Sequence, residues 1–293
     1  MTQVASSRAC AVPSPPYNAH SASRSADYSA GGSADHGATA ANPFESAGDS
    51  AITYVDSRPS YASAALEWAL HSVSAGARVA DIGAGTGRLT DALVRRGYDV
   101  WALEPAADMR SEFLRYLPNF PATRLLGTTA EATGLGDHLF DALTYGESWH
   151  WLDASLAARE AARLLRPGGI LVLVYNQLAV EHPWVHRLTR IMRSGDVQRP
   201  DRPPALGDLF STPEFFAVDW ADRVTPEQII ELGTTRASWI RATPALRTRM
   251  RGNLVHYLYT ELGMQVGESL ALPYHTYVWR AQPAADSIAR LYR

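Results

Sequence analysis

The sequence predicts an α/β fold, a parallel sheet with helices on both faces. Two observations carry that expectation. In Val79-Ala80-Asp81-Ile82-Gly83-Ala84-Gly85-Thr86-Gly87 an apolar run ends on an acid, three glycines follow at alternate positions, and Arg88-Leu89-Thr90 opens a helical pattern. From Arg78 to Tyr175, short apolar runs alternate with helical stretches, as in chains built from repeated strand–helix units.

Residues 1–51 are expected to form a disordered tail. They are rich in Ala, Ser and Gly, with Val4, Val12 and Phe44 the only large aliphatic or Phe residues among the first fifty. Such a segment buries too little surface to offset the entropy of ordering. The folded domain is expected over 52–282, with a short C-terminal tail at 283–293. Pro59 suits a helix start, and Leu66, Trp68 and Leu70 belong to a short helix before the first strand. Tyr54, Arg58 and Tyr61 form a polar-aromatic cluster, readable as part of a ligand site or as packing against the sheet edge.

Strands are expected at Arg78–Ile82, Asp99–Leu103, Thr123–Leu126, Phe140–Tyr145 and Ile170–Tyr175, and helices at Leu89–Arg96, Ala106–Tyr116 and Ala154–Leu165. Gly97 fits a C-cap and Pro167-Gly168-Gly169 a turn. Beyond Asn176 the pattern changes. Trp184–Arg193 reads as a helix, Arg199–Pro213 as a Pro- and Asp-rich loop, and Phe215–Arg223 as a strand. Thr225-Pro226-Glu227-Gln228 has the marks of a capped helix start, so helices are expected over Pro226–Arg236 and Pro244–Leu262, then a last strand over Ser269–Arg280.

Composition narrows the function. The 293 residues are 46% hydrophobic, enough for a sizeable core, and the formal charge of −3 argues against a generic binder of nucleic acid or anionic membrane. All 27 basic residues are Arg. A single cysteine, Cys10, allows neither a disulfide framework nor a cysteine metal site within one chain. The N-terminus lacks the apolar core of a signal peptide, and no run of about eighteen apolar residues occurs, so a cytoplasmic protein is expected.

The glycine spacing selects the ligand. A dinucleotide loop puts its third glycine three places after the second; here the third comes two places after, and Arg88 fills the dinucleotide position. A P-loop needs a lysine, and the chain has none. The acid Glu104, seventeen residues after Gly87 at the end of the second strand, suits the two hydroxyls of a ribose. Tyr145-Gly146-Glu147-Ser148-Trp149-His150-Trp151 ends the fourth strand, where open α/β sheets face their ligands. His150 there is either a general base or a packed, hydrogen-bonded histidine. His182 and His186 stand four apart without an accompanying carboxylate or cysteine pattern, so no metal site is expected.

Asp81-x-Gly83-x-Gly85-x-Gly87 resembles motif I of the class I S-adenosylmethionine-dependent methyltransferases. Arg58-Pro59-Ser60-Tyr61, Glu104-Pro105, Gly127-Thr128-Thr129-Ala130-Glu131, Trp149-His150-Trp151 and Arg163-Leu164-Leu165-Arg166-Pro167-Gly168-Gly169 follow in family order. Leu272-Pro273-Tyr274 and Trp279-Arg280 resemble the closing strand of bacterial relatives. The combination is similar to methyltransferase type 11, the small-molecule subgroup that includes trans-aconitate methyltransferases.

The resemblance implies a Rossmann-like, mostly parallel seven-stranded sheet with a helical insertion, about 224–264, between the last two strands. It implies S-adenosyl-L-methionine as cofactor, bound by Asp81, Gly83, Ala84, Gly85, Gly87, Glu104, Pro105, Ala130, Glu131 and Tyr145. Arg58, Tyr61 and Trp149 would bind the acceptor, although Trp149, like Trp151, is readable either as pocket wall or as core, and His150 would be the base where one is needed. The acceptor is expected to be a small carboxylate or polar metabolite, methylated at O or C, not a nucleic acid. The chain lacks the Asn/Asp-Pro-Pro-Tyr/Phe segment of adenine-N6 enzymes, and Cys10 is far from the fold in sequence, against cytosine-C5 chemistry. The competing expectation is a protein that binds the nucleoside and transfers nothing.

Overall fold

The computed structural model describes residues 58–194 and 198–285. The expected tail at 1–51, Tyr54 and Cys10 lie outside the described residues, as does most of the expected C-terminal tail.

Helix α1 (Ser63–Leu70) precedes β1 (Arg78–Ile82). Then come α2 (Arg88–Val94), β2 (Asp99–Leu103), α3 (Ala107–Tyr116), β3 (Leu125–Leu126), β4 (Phe140–Gly146), α4 (Ala154–Leu164) and β5 (Leu165–Leu178). Helix α5 (Pro183–Met192) leads to β6 (Glu214–Val224). Helices α6 (Pro226–Thr234), α7 (Ala237–Ile240) and α8 (Pro244–Val255) intervene before β7 (Leu270–Ala281).

The seven strands lie in the order β3-β2-β1-β4-β5-β7-β6. Neighbours from β3 to β5 are parallel, and β7 runs against both β5 and β6. The order reverses between β1 and β4, and at such a switch point the carboxyl ends of the strands part to leave a crevice. Both faces are covered, so β5 reads as the unbroken apolar run Ile170–Tyr175. Ile170, Val172 and Val174 pack toward α1 and α2, whereas Leu171, Leu173 and Tyr175 pack toward α4. A third apolar cluster joins α5, α6 and α8 to β7 through Leu188, Met192, Ile229, Leu254 and Leu272.

Three boundaries differ from expectation. Pro167-Gly168-Gly169 lies within β5 as a bulge: Phe140 pairs with Leu165 but Ala142 with Ile170, so two steps along β4 span five along β5. The third strand shrinks to Leu125–Leu126 because a 3-10 turn over Ala122–Arg124 follows Pro121. The last helix is α-helical only to Val255 and continues as a π-helical turn, His256–Glu261. The start of α6 is the expected one, a capping box in which Thr225 and Gln228 satisfy each other's backbone N–H groups.

Candidate functional site

The glycine loop is stitched to the end of β2. Gly83 and Ala84 N–H both donate to the Leu103 carbonyl, at 2.8 and 2.9 Å. Gly85 N–H donates to Glu104 Oε2 at 2.9 Å, and Ala106 N–H to Glu104 Oε1 at 2.8 Å. Glu104 is 6% exposed, and burial pushes its carboxyl above the ordinary value while the two backbone bonds oppose that rise. A carboxylate offers about four acceptor directions, so Glu104 can hold the loop and still receive hydroxyl donors from the cleft it lines.

Beneath the loop, Asp81 accepts from Thr90 Oγ1 at 2.6 Å and from Thr144 Oγ1 at 3.5 Å. These bonds tie the start of α2 to β1 and β4. Asp81 is almost fully buried, and desolvation lifts its carboxyl to about 7. Gly85 has φ +55°, and a Cβ there would meet nothing within 4 Å. The backbone is thus bare on the cleft side, in a conformation that glycine adopts without strain.

Two clefts adjoin at this loop and share Gly83, Gly85, Gly146 and Glu147. The first, of about 830 Å³ with its space open to solvent, is lined by Glu104, Pro105, Met109, Ala130, Glu131, Ser148, Trp151 and Leu152. Its size suits a nucleoside-bearing ligand. Arg241, from the insertion, lies over the Trp151 ring at 5.4 Å. The second cleft, of about 580 Å³, is lined by Arg58, Tyr61, Asp81, Arg88, Arg236 and Tyr274. A Cβ on Gly146 would lie 2.5 Å from the Tyr61 hydroxyl, so the missing side chain is what admits that tyrosine. Arg58 donates from Nε to Thr235 Oγ1 and from Nη2 to the Thr235 carbonyl, both at 3.1 Å. A third cleft opens beyond Glu147, Asn176 and Arg236.

Most of the residues singled out in the sequence come together here. Asp81, Gly83, Ala84, Gly85, Arg58 and Tyr61 line the second cleft, and Glu104, Pro105, Ala130 and Glu131 the first. Gly87 instead packs against Phe113, on α3. Tyr145 and Trp149 are buried edge to face against each other, 4.9 Å apart, and line none of these clefts. Alternation along β4 sends Tyr145 to the α4 side, and the 3-10 turn Trp149–Trp151 turns His150 outward and Trp151 inward. His150 is exposed, its ring against Trp151 and Tyr175.

Two residues that sequence reasoning passed over stand in the centre. Glu147 lines all three clefts, has φ +57°, and accepts the Asn176 N–H on Oε1 at 2.5 Å. Its place immediately after β4 was the available signal. Arg236, 7% exposed, lines the second and third clefts. It carries no local signature, because its burial depends on the insertion folding back. Among the described residues no group of three or more His, Cys, Asp or Glu stands close enough to hold a metal ion, and no helix is long and apolar enough to cross a membrane.

A family model for a methyltransferase domain matches residues 80–173. The uncharacterized methyltransferase Rv3342 of Mycobacterium tuberculosis (strain H37Rv) is 39% identical over 235 residues, covering 80% of this chain and 94% of its own. The uncharacterized methyltransferase C25B8.09 of Schizosaccharomyces pombe is 28% identical over 142 residues, covering 47% of this chain and 55% of its own. A solved structure from Anaeromyxobacter dehalogenans, assigned as a type II methyltransferase, shares the fold. Its TM-score is 0.55 at 19% identity, and the match covers 77% of this chain and 97% of that one.

Proposed function

The chain belongs to the class I S-adenosylmethionine-dependent methyltransferases, and from that premise we propose that it methylates a small polar metabolite at oxygen or carbon. The observation that carries the reading is the joining of Gly85 to Glu104 at the mouth of a cleft that continues, past Gly146, into a second one. The residues present fit S-adenosyl-L-methionine, the donor of this family. Glu104 has acceptor directions for a ribose, the bare backbone at Gly85 allows close approach, and Ala130 and Glu131, which line the same cleft, would lie beside an adenine.

The donor supplies a methyl group already activated by its sulfonium. The work left to the protein is alignment and exclusion of water. Asp81 holds the loop in register through Thr90 and Thr144. Arg58 and Tyr61 wall the acceptor side, and Arg241 with Trp151 narrows the donor side. A carboxylate acceptor has no proton to lose. For a hydroxyl or carbon acid, Glu147 is better placed than His150 to take the proton, because it stands where the clefts meet.

Incubation of the protein with methyl-labelled donor and a metabolite extract tests the reading. Label recovered in a small product, identified by mass spectrometry, supports it. Tight binding of S-adenosylhomocysteine with no label transferred to any extract would favour a binding module instead.

A further inference from the structure

We infer that Thr276 is a positioning residue for the acceptor side of the site: acting through Asn176, it fixes the segment 58–61. Thr276 is fully buried and lines none of the three clefts. The inference rests on the methyltransferase reading above and adds to it a residue that acts only through another.

The sheet register brings the group together. Asn176 on β5 stands directly opposite Thr276 on β7, and the next pair on that face is Val174 with Val278. Val172, Val174 and Val278, with Val218 beside them, pack toward α1. At Asn176 and Thr276 this apolar row turns polar. Val218 on β6 lies opposite Thr276, and Trp220 is the next residue along β6 on the same face. Trp220, Thr276 and Asn176 thus share the face that the segment before α1 crosses. Valine has nearly the shape of threonine and would continue the row, so packing alone does not call for a hydroxyl here.

A chain of hydrogen bonds does call for it. Trp220 Nε1–H donates to Thr276 Oγ1 at 2.8 Å, Thr276 Oγ1 donates to Asn176 Oδ1 at 2.7 Å, and Asn176 Nδ2 donates to the Ser60 carbonyl at 3.1 Å. Its direction is set at the far end. An indole N–H can only donate, so the Thr276 hydroxyl accepts there and passes its own proton on. That proton needs an acceptor, which makes the near atom of Asn176 its oxygen and turns the NH2 toward Ser60. The reversed amide would set its oxygen against the Ser60 carbonyl with no proton between them.

Ser60 lies between Pro59 and Tyr61, and both of these line the second cleft. At the other end of the segment Arg58 is tied to Thr235. One tie therefore runs to the insertion and the other to the sheet, and Thr276 governs the second. Removing its hydroxyl leaves the indole N–H unpaired and frees the amide to turn away from Ser60. The Asn176 main-chain N–H keeps its bond to Glu147 in either case. Gly85 and Glu104 share no member with the chain, so the effect falls on the acceptor side alone.

The test compares Thr276→Val with Thr276→Ser in the full chain. Hydrogen exchange read by mass spectrometry follows the peptide 58–66, which carries the segment and the first turn of α1, where the Ala65 and Leu66 N–H groups bond to the Ala62 carbonyl. Thr276→Val should raise exchange of this peptide severalfold and move the Trp220 indole N–H resonance; Thr276→Ser should leave both near wild type. S-adenosylhomocysteine affinity should be unchanged in each variant. With methyl-labelled donor and the metabolite extract, transfer at low extract should fall about tenfold in Thr276→Val and recover as the extract is raised, whereas Thr276→Ser should keep most of the rate. If Thr276→Val does not fold, Trp220→Phe takes its place. It keeps the hydroxyl but removes the donor that sets its direction, so it should give smaller changes of the same sign. Unchanged exchange over 58–66 in the folded variant, equal losses in Thr276→Val and Thr276→Ser, or a drop in S-adenosylhomocysteine affinity that matches the drop in rate would each overturn the inference. A wild-type chain that transfers no label would overturn the methyltransferase reading and with it the role in positioning an acceptor, while exchange over 58–66 would still decide whether Thr276 holds the segment.

Discussion

Gly85 N–H donates to Glu104 Oε2 at 2.9 Å, joining the loop after β1 to the end of β2. The other carboxylate oxygen takes the Ala106 N–H at the start of α3. One side chain thus holds the loop, satisfies the approach to a helix and faces the first cleft. Glu104→Ala removes all three contributions. S-adenosylhomocysteine should bind about 10–100-fold more weakly, and the melting temperature should fall as well. Glu104→Gln keeps one acceptor oxygen, so it should recover part of the melting temperature and little of the affinity. Calorimetry and thermal melting separate the effects; wild-type affinity in Glu104→Ala would remove ribose recognition from this residue.

Gly85 invites a sharper test. Its φ of +55° makes any Cβ unfavourable, and the space into which that Cβ would point is the cleft. Gly85→Ala should cost about 1 kcal/mol of stability or somewhat more. Gly85→Val should fold less stably still and lose measurable binding of S-adenosylhomocysteine, because the side chain would stand where the ligand approaches. A folded Gly85→Val protein with intact affinity would show that the ligand lies elsewhere.

Asp81 makes the fold pH-dependent. Burial lifts its carboxyl to about 7, above the unfolded value near 4. Between those values the folded chain holds a proton that the unfolded chain has released. The contribution of Asp81 is therefore largest below about pH 4, is lost as pH rises toward 7, and is level above that. Asp81→Asn cannot titrate but loses one of the two threonine bonds, a constant offset. Its stability relative to wild type should thus rise with pH across the window, by at most about 4 kcal/mol. Urea denaturation at pH 5 and pH 7.5 measures the difference; a gap that does not change with pH would contradict the buried, proton-holding carboxyl.

The parts of the site that were legible in the sequence are the ones made by local chain. Gly83 to Gly87 is a continuous turn, Glu104 follows a strand directly, and the alternation of strands with helices announces the sheet. Tyr145 and Trp149 line none of the three clefts, and the aromatic run looks the same whichever side of β4 each ring takes. Only the core around Tyr145, and the 3-10 turn after Ser148, decide that. Arg236 was hidden for a different reason. It reaches the cleft through the packing of α6 and α8 against β7, a contact between segments that no sequence window contains. The two-residue β3 was overextended because a proline and a 3-10 turn use up the chain before pairing begins.

Arg58 is held by Thr235, whose own hydroxyl also donates to the Leu232 carbonyl at 2.8 Å. The segment before α1 is thereby fastened to the end of α6. Thr235→Val removes the hydroxyl acceptor and leaves the carbonyl one, so Arg58 stays charged but is less well aimed. Apparent affinity for the acceptor should weaken severalfold while donor affinity is retained, and Arg58→Ala should weaken it further. Equal acceptor affinity in wild type, Thr235→Val and Arg58→Ala, with only the melting temperature lowered, would leave Arg58 as a structural tie between the two segments.

Glu147 and His150 offer two different proton acceptors three residues apart. Glu147 stands in the left-handed region at φ +57°, which costs a non-glycine residue on the order of 1–3 kcal/mol. Its N–H donates to the Val174 carbonyl at 3.0 Å and its carboxylate takes the Asn176 N–H, so β5 holds it there from both ends. His150 is exposed, with its ring against Trp151 and Tyr175. If methyl goes to a hydroxyl or an acidic carbon of the acceptor, Glu147→Gln should lower turnover about 10²-fold or more and leave S-adenosylhomocysteine affinity unchanged. If methyl goes to the carboxylate itself, no proton is removed, and Glu147→Gln should retain most of the rate. His150→Ala should stay near wild type in either case. Initial rates with labelled donor, measured for hydroxy acids and for simple carboxylic acids, distinguish the outcomes. A 10²-fold loss in His150→Ala at wild-type donor affinity would return the base to the histidine and remove Glu147 from the chemistry.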